Sequence, residues 1–497
     1  MPLVAGIDLG TQSAKLVLYD PDARSVVATT SAPLELRSDG NGTCEQLAEW
    51  WIDAVRCCFA QVEPRMRREI GAIAVSGQQH GFVPVDDSGT VLAPVKLWCD
   101  TSTSAECQEI MGAVGGPARC IELVGNPILA GYTASKLPWT RKHRRDAYAR
   151  MAKILLPHDY LNFFLTGEYF CECGDASGTG WFDVHTRRWS QALLHAIDPQ
   201  RDLAECLPPL TEVGTTFGLR AAVADELGIP RAAVVAVGGG DNMMAAIGTG
   251  VVTQGRLAMS LGTSGTLFCH SGVPMIDAAG AWAAYCSSSG GWLPLICTMN
   301  CTDATETVAR MFGFSTRDGD TRIAATTPGC DGLTLLPFFS GERTPDLPLG
   351  KGVLTGMNRS NVSEAHFYRA AMEGATYSLK CGYDTFVSAG MAFDSLILTG
   401  GGSNSAAWRQ MVADVFDLRV EVPKQSESAA FGAALQALWS LHTSQGGSTA
   451  LPELVTEHVA ADPALAATPD AARVTAYREP YHRFRDHLRV VQSLYGA

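Results

Sequence analysis

One local pattern occurs twice in this chain, about half its length apart, and it constrains the fold more than any other feature. Residues 3–9 (Leu-Val-Ala-Gly-Ile-Asp-Leu) and 14–19 (Ala-Lys-Leu-Val-Leu-Tyr) are apolar runs flanking Gly10-Thr11-Gln12-Ser13. Ala258-Met259-Ser260-Leu261 and Thr266-Leu267-Phe268 flank Gly262-Thr263-Ser264-Gly265 in the same way. Apolar runs separated by small turn residues read as strand, tight turn, strand. Two such hairpins predict a duplicated domain. The length agrees, because 497 residues exceed the ~250–300 at which single cores stop growing.

Between and after the hairpins, helical and strand patterns alternate. Helices are predicted over 46–62, 103–112, 134–150, 362–389 and from 405, and strands over 73–76, 233–237 and 395–399. That alternation is an α/β fold. The domains read as 1–248 and 249–442, followed by an appendage over 443–497. Its first part, 443–470, is rich in Gly, Pro and Ala and predicts a surface excursion. After Pro480, residues Tyr481, Phe484, Leu488, Val491 and Tyr495 recur at helical spacing and predict an amphipathic helix that docks back on the body.

Composition narrows the partners. The 38 basic and 51 acidic residues leave a net charge of −13, which disfavours nucleic acid and anionic membrane. No apolar run approaches the ~18 residues of a membrane span, and the start reaches Asp8 without a basic, apolar leader. Fifteen cysteines with no Cys-x-x-Cys pair predict reduced thiols and a cytoplasmic protein.

The chemistry suggested first is phosphate binding. A Gly-Thr turn between strands offers backbone N–H groups and hydroxyls to phosphate oxygens. Gly10, Thr11, Gln12 and Ser13 would form one such turn, and Gly262, Thr263 and Ser264 another. Asp8, at the end of the first strand, is placed to hold Mg²⁺ through water against the β- and γ-phosphates of a polyphosphate, and Lys15 on the returning strand could add charge. The P-loop pattern is absent, as are the protein-kinase signatures, and Gly238-Gly239-Gly240-Asp241-Asn242 lacks dinucleotide spacing. Asp241 follows three glycines and precedes a helix. Taken by itself it is either a capping aspartate or an ionised carboxylate aimed into open space.

At this point the sequence resembles the FGGY carbohydrate kinases over essentially its whole length, and among them those acting on xylulose. Gly131-Tyr132-Thr133-Ala134-Ser135-Lys136-Leu137-Pro138-Trp139 matches the first family signature, with Thr140 where an aliphatic residue is usual. Gly352-Val353-Leu354-Thr355-Gly356-Met357, then His366-Phe367 and Ala370-Ala371-Met372-Glu373, fit the second. The resemblance implies a two-domain actin-like, hexokinase-like (ribonuclease H-like) fold with an active-site cleft between the domains. It implies Asp241 as catalytic base, the two Gly-Thr turns as phosphate loops, Gly400, Gly401 and Gly402 with Asn404 as the adenosine site, and Asp8 for the metal. The implied reaction is ATP-dependent phosphorylation of a ketopentose, first D-xylulose, with Mg²⁺ and ATP as cofactors and a homodimer as the assembly. The alternatives are another sugar or polyol (ribulose, another ketose, a glycerol-like compound) or a non-catalytic nucleotide-gated module of the actin type.

Sugar recognition is carried over to Gln79, His80, Asp100, Asp241 and Asn242. Ser76-Gly77-Gln78-Gln79-His80-Gly81 resembles a family segment that has Met where Gln79 stands. Leu97-Trp98-Cys99-Asp100-Thr101 resembles another with Asn in place of Cys99. Asp100 is expected to accept from two sugar hydroxyls, and Cys99 to be a small buried neighbour. Glu342-Arg343, within Leu336 to Pro345, is expected to hold a loop. The basic residues Lys136, Arg141, Lys142, Arg144, Arg145 and Arg150 read as a solvated face. Asp159 and Asp175 read as structural, with Asp175 bordering the sugar pocket.

Overall fold

The computed structural model describes residues 1–345 and 347–495. It divides into two compact units. The first comprises Met1–Val252, Ser271–Pro294 and Glu427–Val459, and the second Thr253–His270, Leu295–Ser426 and Ala460–Ala497.

The first unit is built on a sheet of β1 (Leu3–Leu9), β2 (Ser13–Asp20), β3 (Ser25–Pro33), β4 (Ile70–Gly77), β5 (Thr216–Gly218), β6 (Val234–Ala236) and β7 (Gly239–Gly240). Its order is β5-β6-β4-β1-β2-β3, with β7 also on β4. β1 is antiparallel to β2 and parallel to β4, and β4 is parallel to β6 and β7. The second unit has β8 (Gly255–Leu261), β9 (Gly265–Cys269), β10 (Leu295–Thr298), β11 (Phe393–Thr399) and β12 (Arg419–Glu421), ordered β10-β9-β8-β11-β12. Again the opening hairpin is antiparallel, and the next two strands add in parallel beside its first strand. The path β3-β2-β1-β4-β6 of the first unit repeats this arrangement, so the duplication expected from the two Gly-Thr hairpins is a duplication of sheet topology.

Nearly every residue of β1 is buried, as expected of a central strand covered on both faces. One cover is the helix Ser428–Ser444, and its approach is close. A Cβ on Gly6 would lie 1.8 Å from the carbonyl oxygen of Ala430. The same helix crosses the helix Asp241–Gly248 at a second small-residue contact, where a Cβ on Gly432 would lie 1.8 Å from the carbonyl of Met244. The helix that starts at Asp241 is thereby pinned along its length.

The two compact units are not continuous along the chain. Residues 271–294, expected in the C-terminal domain, belong to the first unit. There Asn126 pairs with the backbone N–H and carbonyl of Ala284, both at 2.8 Å, and Ser177 Oγ accepts from the N–H of Cys286 at 2.9 Å. The expected single appendage is divided at 459/460 between the units. Its irregular half contains a helix, Leu451–His458. The terminal helix runs Ala471–Gln492, capped by Asp470 accepting from the N–H groups of Ala472 and Arg473, and Pro480 lies inside it rather than before it. Proline reads as a helix boundary from sequence, but here Pro480 is buried and packs over Gly329. No helix among the described residues is long and apolar enough to cross a membrane.

Candidate active site

The ends of β1, β4 and β7 bring the first group of expected site residues together. Asp8 near the end of β1 stands beside Ser76 of β4 in register, and Ser76 Oγ donates to Asp8 Oδ1 at 2.8 Å. Burial raises the Asp8 carboxyl to about 6, against the lowering effects of the Ser76 bond and of Lys15. Lys15 lies opposite Asp8 on β2 and pairs with Glu427 at 2.6 Å.

Gly238, Gly239 and Gly240 deliver the chain to Asp241. Gly238 has φ +74°, and a Cβ there would lie 2.2 Å from the carbonyl oxygen of Val75. A Cβ on Gly240 would meet Gln79 Cγ at 2.9 Å and Asp175 Oδ1 at 3.1 Å. Side chains are therefore excluded from the two positions that seat the following carboxylate. Asp241 is the first residue of its helix and Gly240 holds the capping position, so Asp241 is not the N-cap that the local sequence allowed. Asp241 Oδ1 accepts from Asn242 N at 2.7 Å and Asn242 Nδ2 at 2.9 Å. Burial, then the negative charge of Asp8, raise its carboxyl to about 7 despite these bonds, and Asp175 adds to the rise. A carboxyl with that pKa exchanges a proton readily near neutral pH.

Asn242 Nδ2 also donates to Gln79 Oε1 at 3.1 Å. The Gln79 Nε2 is buried and has no hydrogen-bond partner among the described residues. His80 adopts a left-handed backbone, φ +66°. Its Nδ1 lies 2.7 Å from the carbonyl of Gly178, so Nδ1–H donates, and its ring stacks on Tyr132 at 4.7 Å.

The first Gly-Thr turn spans the gap between Leu9 and Ala14, which pair across the hairpin. Its conformation is fixed by Gly10 N donating to Ser13 O at 3.1 Å and by Leu34 N donating to Gln12 O at 2.8 Å. The N–H groups of Thr11 and Gln12 have no backbone acceptor among the described residues, as an anion-binding turn requires. In the second unit, Leu261 and Gly265 close the turn of Gly262, Thr263 and Ser264, anchored by Cys301 N to Thr263 O at 3.0 Å and Thr302 N to Gly262 O at 2.9 Å. Gly400, at φ +82°, abuts this turn's entry, since a Cβ would lie 2.6 Å from the Leu261 carbonyl. Gly402 packs on Leu261 Cβ, whereas nothing lies within 4 Å of a Cβ on Gly401. Asn404 closes the 3₁₀ turn Gly401–Asn404, and its carbonyl accepts from Arg409 at 3.1 Å.

With this geometry in place, known proteins supply the lineage. The N-terminal-domain model of the FGGY family of carbohydrate kinases matches residues 3–248, and the C-terminal-domain model matches residues 257–441. The chain belongs to the FGGY family of carbohydrate kinases. A xylulose kinase of Haemophilus influenzae is 38% identical over 97% of this chain and 99% of its own length. The xylulose kinase of Escherichia coli is 32% identical over 98% of each. Among solved structures, one described as a xyloylose kinase from Brucella ovis superposes with a TM-score of 0.91 at 30% identity, covering 99% of this chain and 100% of its own.

Two sequence expectations for this kinase do not survive. Asp100 is fully buried, and both its oxygens are occupied. Oδ1 accepts from Ser102 N and Oγ at 3.1 and 2.6 Å, and Oδ2 from Cys44 N and Lys96 Nζ, both at 2.9 Å. It anchors the loop that carries Trp98 and Cys99 and has no open lone pair of the kind expected for a sugar. Lys136 is not on a solvated face. It is wholly buried, and its ammonium donates to the carbonyls of His80 at 2.5 Å and Gly131 at 2.8 Å. Burial lowers it to about 7, against the pull of Asp100. Cys99 is only partly buried rather than the buried neighbour expected, and burial raises its thiol to about 12, with its Sγ 2.8 Å from that of Cys44. Glu342 matches its expectation, accepting from the N–H groups of Met299 at 2.5 Å and Arg343 at 2.8 Å.

A group the sequence reading underweighted lies behind Gly240. His158 Nδ1 is 2.6 Å from Asp175 Oδ2, both side chains being fully buried, and Glu172 accepts from the N–H groups of Gly174 and Asp175 at 2.6 Å. The only sequence signal was the recurrence of acids in 159–175 next to apolar neighbours.

Proposed function

We propose that this kinase transfers the γ-phosphoryl group of MgATP to the terminal hydroxyl of D-xylulose, giving D-xylulose 5-phosphate and ADP, with Asp241 as general base. The observation that carries the reading is the Asp241–Asn242–Gln79 chain beside Asp8, with the Asp241 carboxyl held at about 7. The substrate rests on the xylulose kinases that match this chain along almost its full length.

In this reading Asp241 takes the proton of the attacking hydroxyl. The sugar oxygen bonds to the γ-phosphorus, and the bond from that phosphorus to the bridging oxygen breaks, leaving its electron pair on ADP. Little covalent help is needed in such transfers, so the chain's main task is placement. The amides of the two Gly-Thr turns would receive the phosphates, and 400–404 the adenosine. Asp241, Asn242, His80 and the unpartnered Gln79 Nε2 would seat the sugar.

The donor set fits Mg²⁺. Asp8 is a hard oxygen ligand whose carboxyl burial raises to about 6, and Mg²⁺ typically takes one or two carboxylates together with waters and phosphate oxygens. When bound, Mg²⁺ would neutralise charge developing on the phosphates. The fifteen cysteines are all free thiols, which supports a reducing, cytoplasmic setting, and we read the assembly as a homodimer from the family resemblance.

Asp241→Asn tests the base. The amide fills the same space but takes no proton, so kcat should fall about 10²–10⁴-fold with ATP and sugar affinities within several-fold. Retention of more than a tenth of kcat removes Asp241 from the role. A coupled ADP-release assay over D-xylulose, D- and L-ribulose, L-xylulose, D-fructose, glycerol, D-arabitol and gluconate tests the substrate, and strong preference for another member moves it.

A further inference from the structure

Thr11 sits at the centre of a part-buried hydrogen-bond network whose directions are all forced. Gln46 Nε2 lies 2.8 Å from both the Thr11 and the Glu35 carbonyls, which can only accept, so Gln46 presents its amide nitrogen to them. Gln46 Oε1 therefore accepts, from Trp51 Nε1 at 2.9 Å and from Gln78 Nε2 at 3.0 Å. Gln78 Oε1 must then receive the Thr11 hydroxyl hydrogen, at 3.0 Å. Thr11 Oγ1 in turn accepts from Trp98 Nε1, a group that can only donate, at 2.9 Å. The hydroxyl of Thr11 is thus committed inward, to Gln78, and its N–H is left as the outward donor of that residue.

Gln78 occupies a second strategic place. Its own N–H donates to the carbonyl of Leu9, at the mouth of the turn, at 2.8 Å. It directly precedes Gln79 and His80 and is buried. One residue therefore holds the turn 10–13 at both its entry and its side chain while belonging to the segment that bears Gln79 and His80.

We propose that Gln78, with Gln46 and Trp98, is a positioning residue that fixes the first phosphate turn in its anion-receiving conformation. Trp98 links this network to the loop anchored by Asp100, which gives that buried carboxylate a role after its exclusion from sugar binding. The inference rests on the reading of residues 10–13 as a phosphate turn. Fully satisfied networks of this kind rigidify what they hold, and rigid donors bind a phosphate without first being ordered.

The test measures MgADP affinity calorimetrically without sugar, then KM for ATP and for D-xylulose, in Gln78→Met, Trp98→Phe and Thr11→Val. Gln78→Met should weaken MgADP about tenfold, the equivalent of one neutral hydrogen bond, and raise KM for ATP similarly while KM for the sugar stays within twofold. Trp98→Phe, which keeps the ring and removes only the donor, should act in the same direction and serves if Gln78→Met does not fold. Gln78→Met in a Thr11→Val background should cost clearly less than the sum of the two alone, since both remove the bond they share. Unchanged MgADP affinity in Gln78→Met or, should it fail to fold, in Trp98→Phe overturns the proposal. Additive losses, or parallel losses for nucleotide and sugar, overturn it as well. Because nucleotide binding is read directly, an active Asp241→Asn enzyme would sink the base assignment without touching this inference. Wild-type protein that binds no MgADP would overturn both this proposal and the phosphate-turn reading.

Discussion

Replacing Lys136 by Met separates two effects that a buried lysine usually confounds. Its ammonium has a pKa of about 7 in the fold, against 10.5 for the unburied group. That gap, about 3.5 pH units at 1.36 kcal/mol each, makes the charged form cost about 5 kcal/mol. Below pH 7 both folded and unfolded chains carry the proton and the cost is fully present. Between 7 and 10.5 the unfolded chain holds one proton more, so wild-type stability should climb by about 1.4 kcal/mol per pH unit. Met removes this cost but strips a donor from the carbonyls of His80 and Gly131, at about 1–3 kcal/mol each. His80 keeps a weaker donor, Thr133 Oγ1 at 3.2 Å. The two changes nearly cancel at pH 7, so the variant should fold with a stability within about 2 kcal/mol of wild type. The left-handed backbone of His80 loses its strongest restraint, and KM for D-xylulose should rise about tenfold with MgADP affinity unaltered. Urea denaturation at pH 7, 8 and 9 reads the first effect and steady-state kinetics the second. If the stability difference between wild type and variant does not change from pH 7 to 9, Lys136 is not neutralised in the fold. An unchanged sugar KM would mean that it does not hold His80.

Two further outcomes follow from the same site. A base with a pKa of about 7 must be deprotonated to act, so kcat/KM should fall about tenfold per pH unit below 7, and a profile flat from pH 5.5 to 7.5 would refute the assignment. Gln79→Met removes the buried, unpartnered Nε2, and the ratio of kcat/KM between D-xylulose and D-ribulose should shift several-fold. An unchanged ratio would leave Gln79 without a part in sugar choice.

The features most legible from sequence were those written in local pattern. Gly-Thr between two apolar runs specified both hairpins, and three glycines before Asp241 marked a strand end with a close backbone approach. What local pattern could not carry was the destination of long-range segments. Nothing in 271–294 distinguishes it from its neighbours, because its place depends on Asn126 and Ser177, more than a hundred residues away. Pro480 was misread for a related reason. A proline's cost in a helix is local, while the packing over Gly329 that offsets it is tertiary. Charge was the least legible property. Lys136, Arg141 and Lys142 look alike in sequence, yet Lys136 is sealed between two carbonyls while Lys142 binds Glu106 and Glu109 at 2.9 and 2.7 Å near the surface. Asp100 failed similarly: a carboxylate near a presumed sugar segment offers acceptors only if its own neighbours leave them open.

Burial and two acidic neighbours together lift the Asp241 carboxyl to near neutrality. Burial, Asp8 and Asp175 all push its carboxyl upward, and only the bonds from Asn242 oppose them. The partner of Asp175, His158, would be lowered by burial alone, but Asp159, Asp175 and Glu172 together raise it to about 9, so at neutral pH it is an imidazolium 2.6 Å from Asp175. Asp175 itself acts on Asp241 through its charge. Asp159, in the same cluster, is raised to about 7 chiefly by burial. A paired histidine and aspartate beyond reach of the reacting atoms can therefore act on the base through charge alone. It follows that His158 belongs with Gln78 and Lys136: each leaves the substrate to other residues and sets the conditions under which those residues meet it.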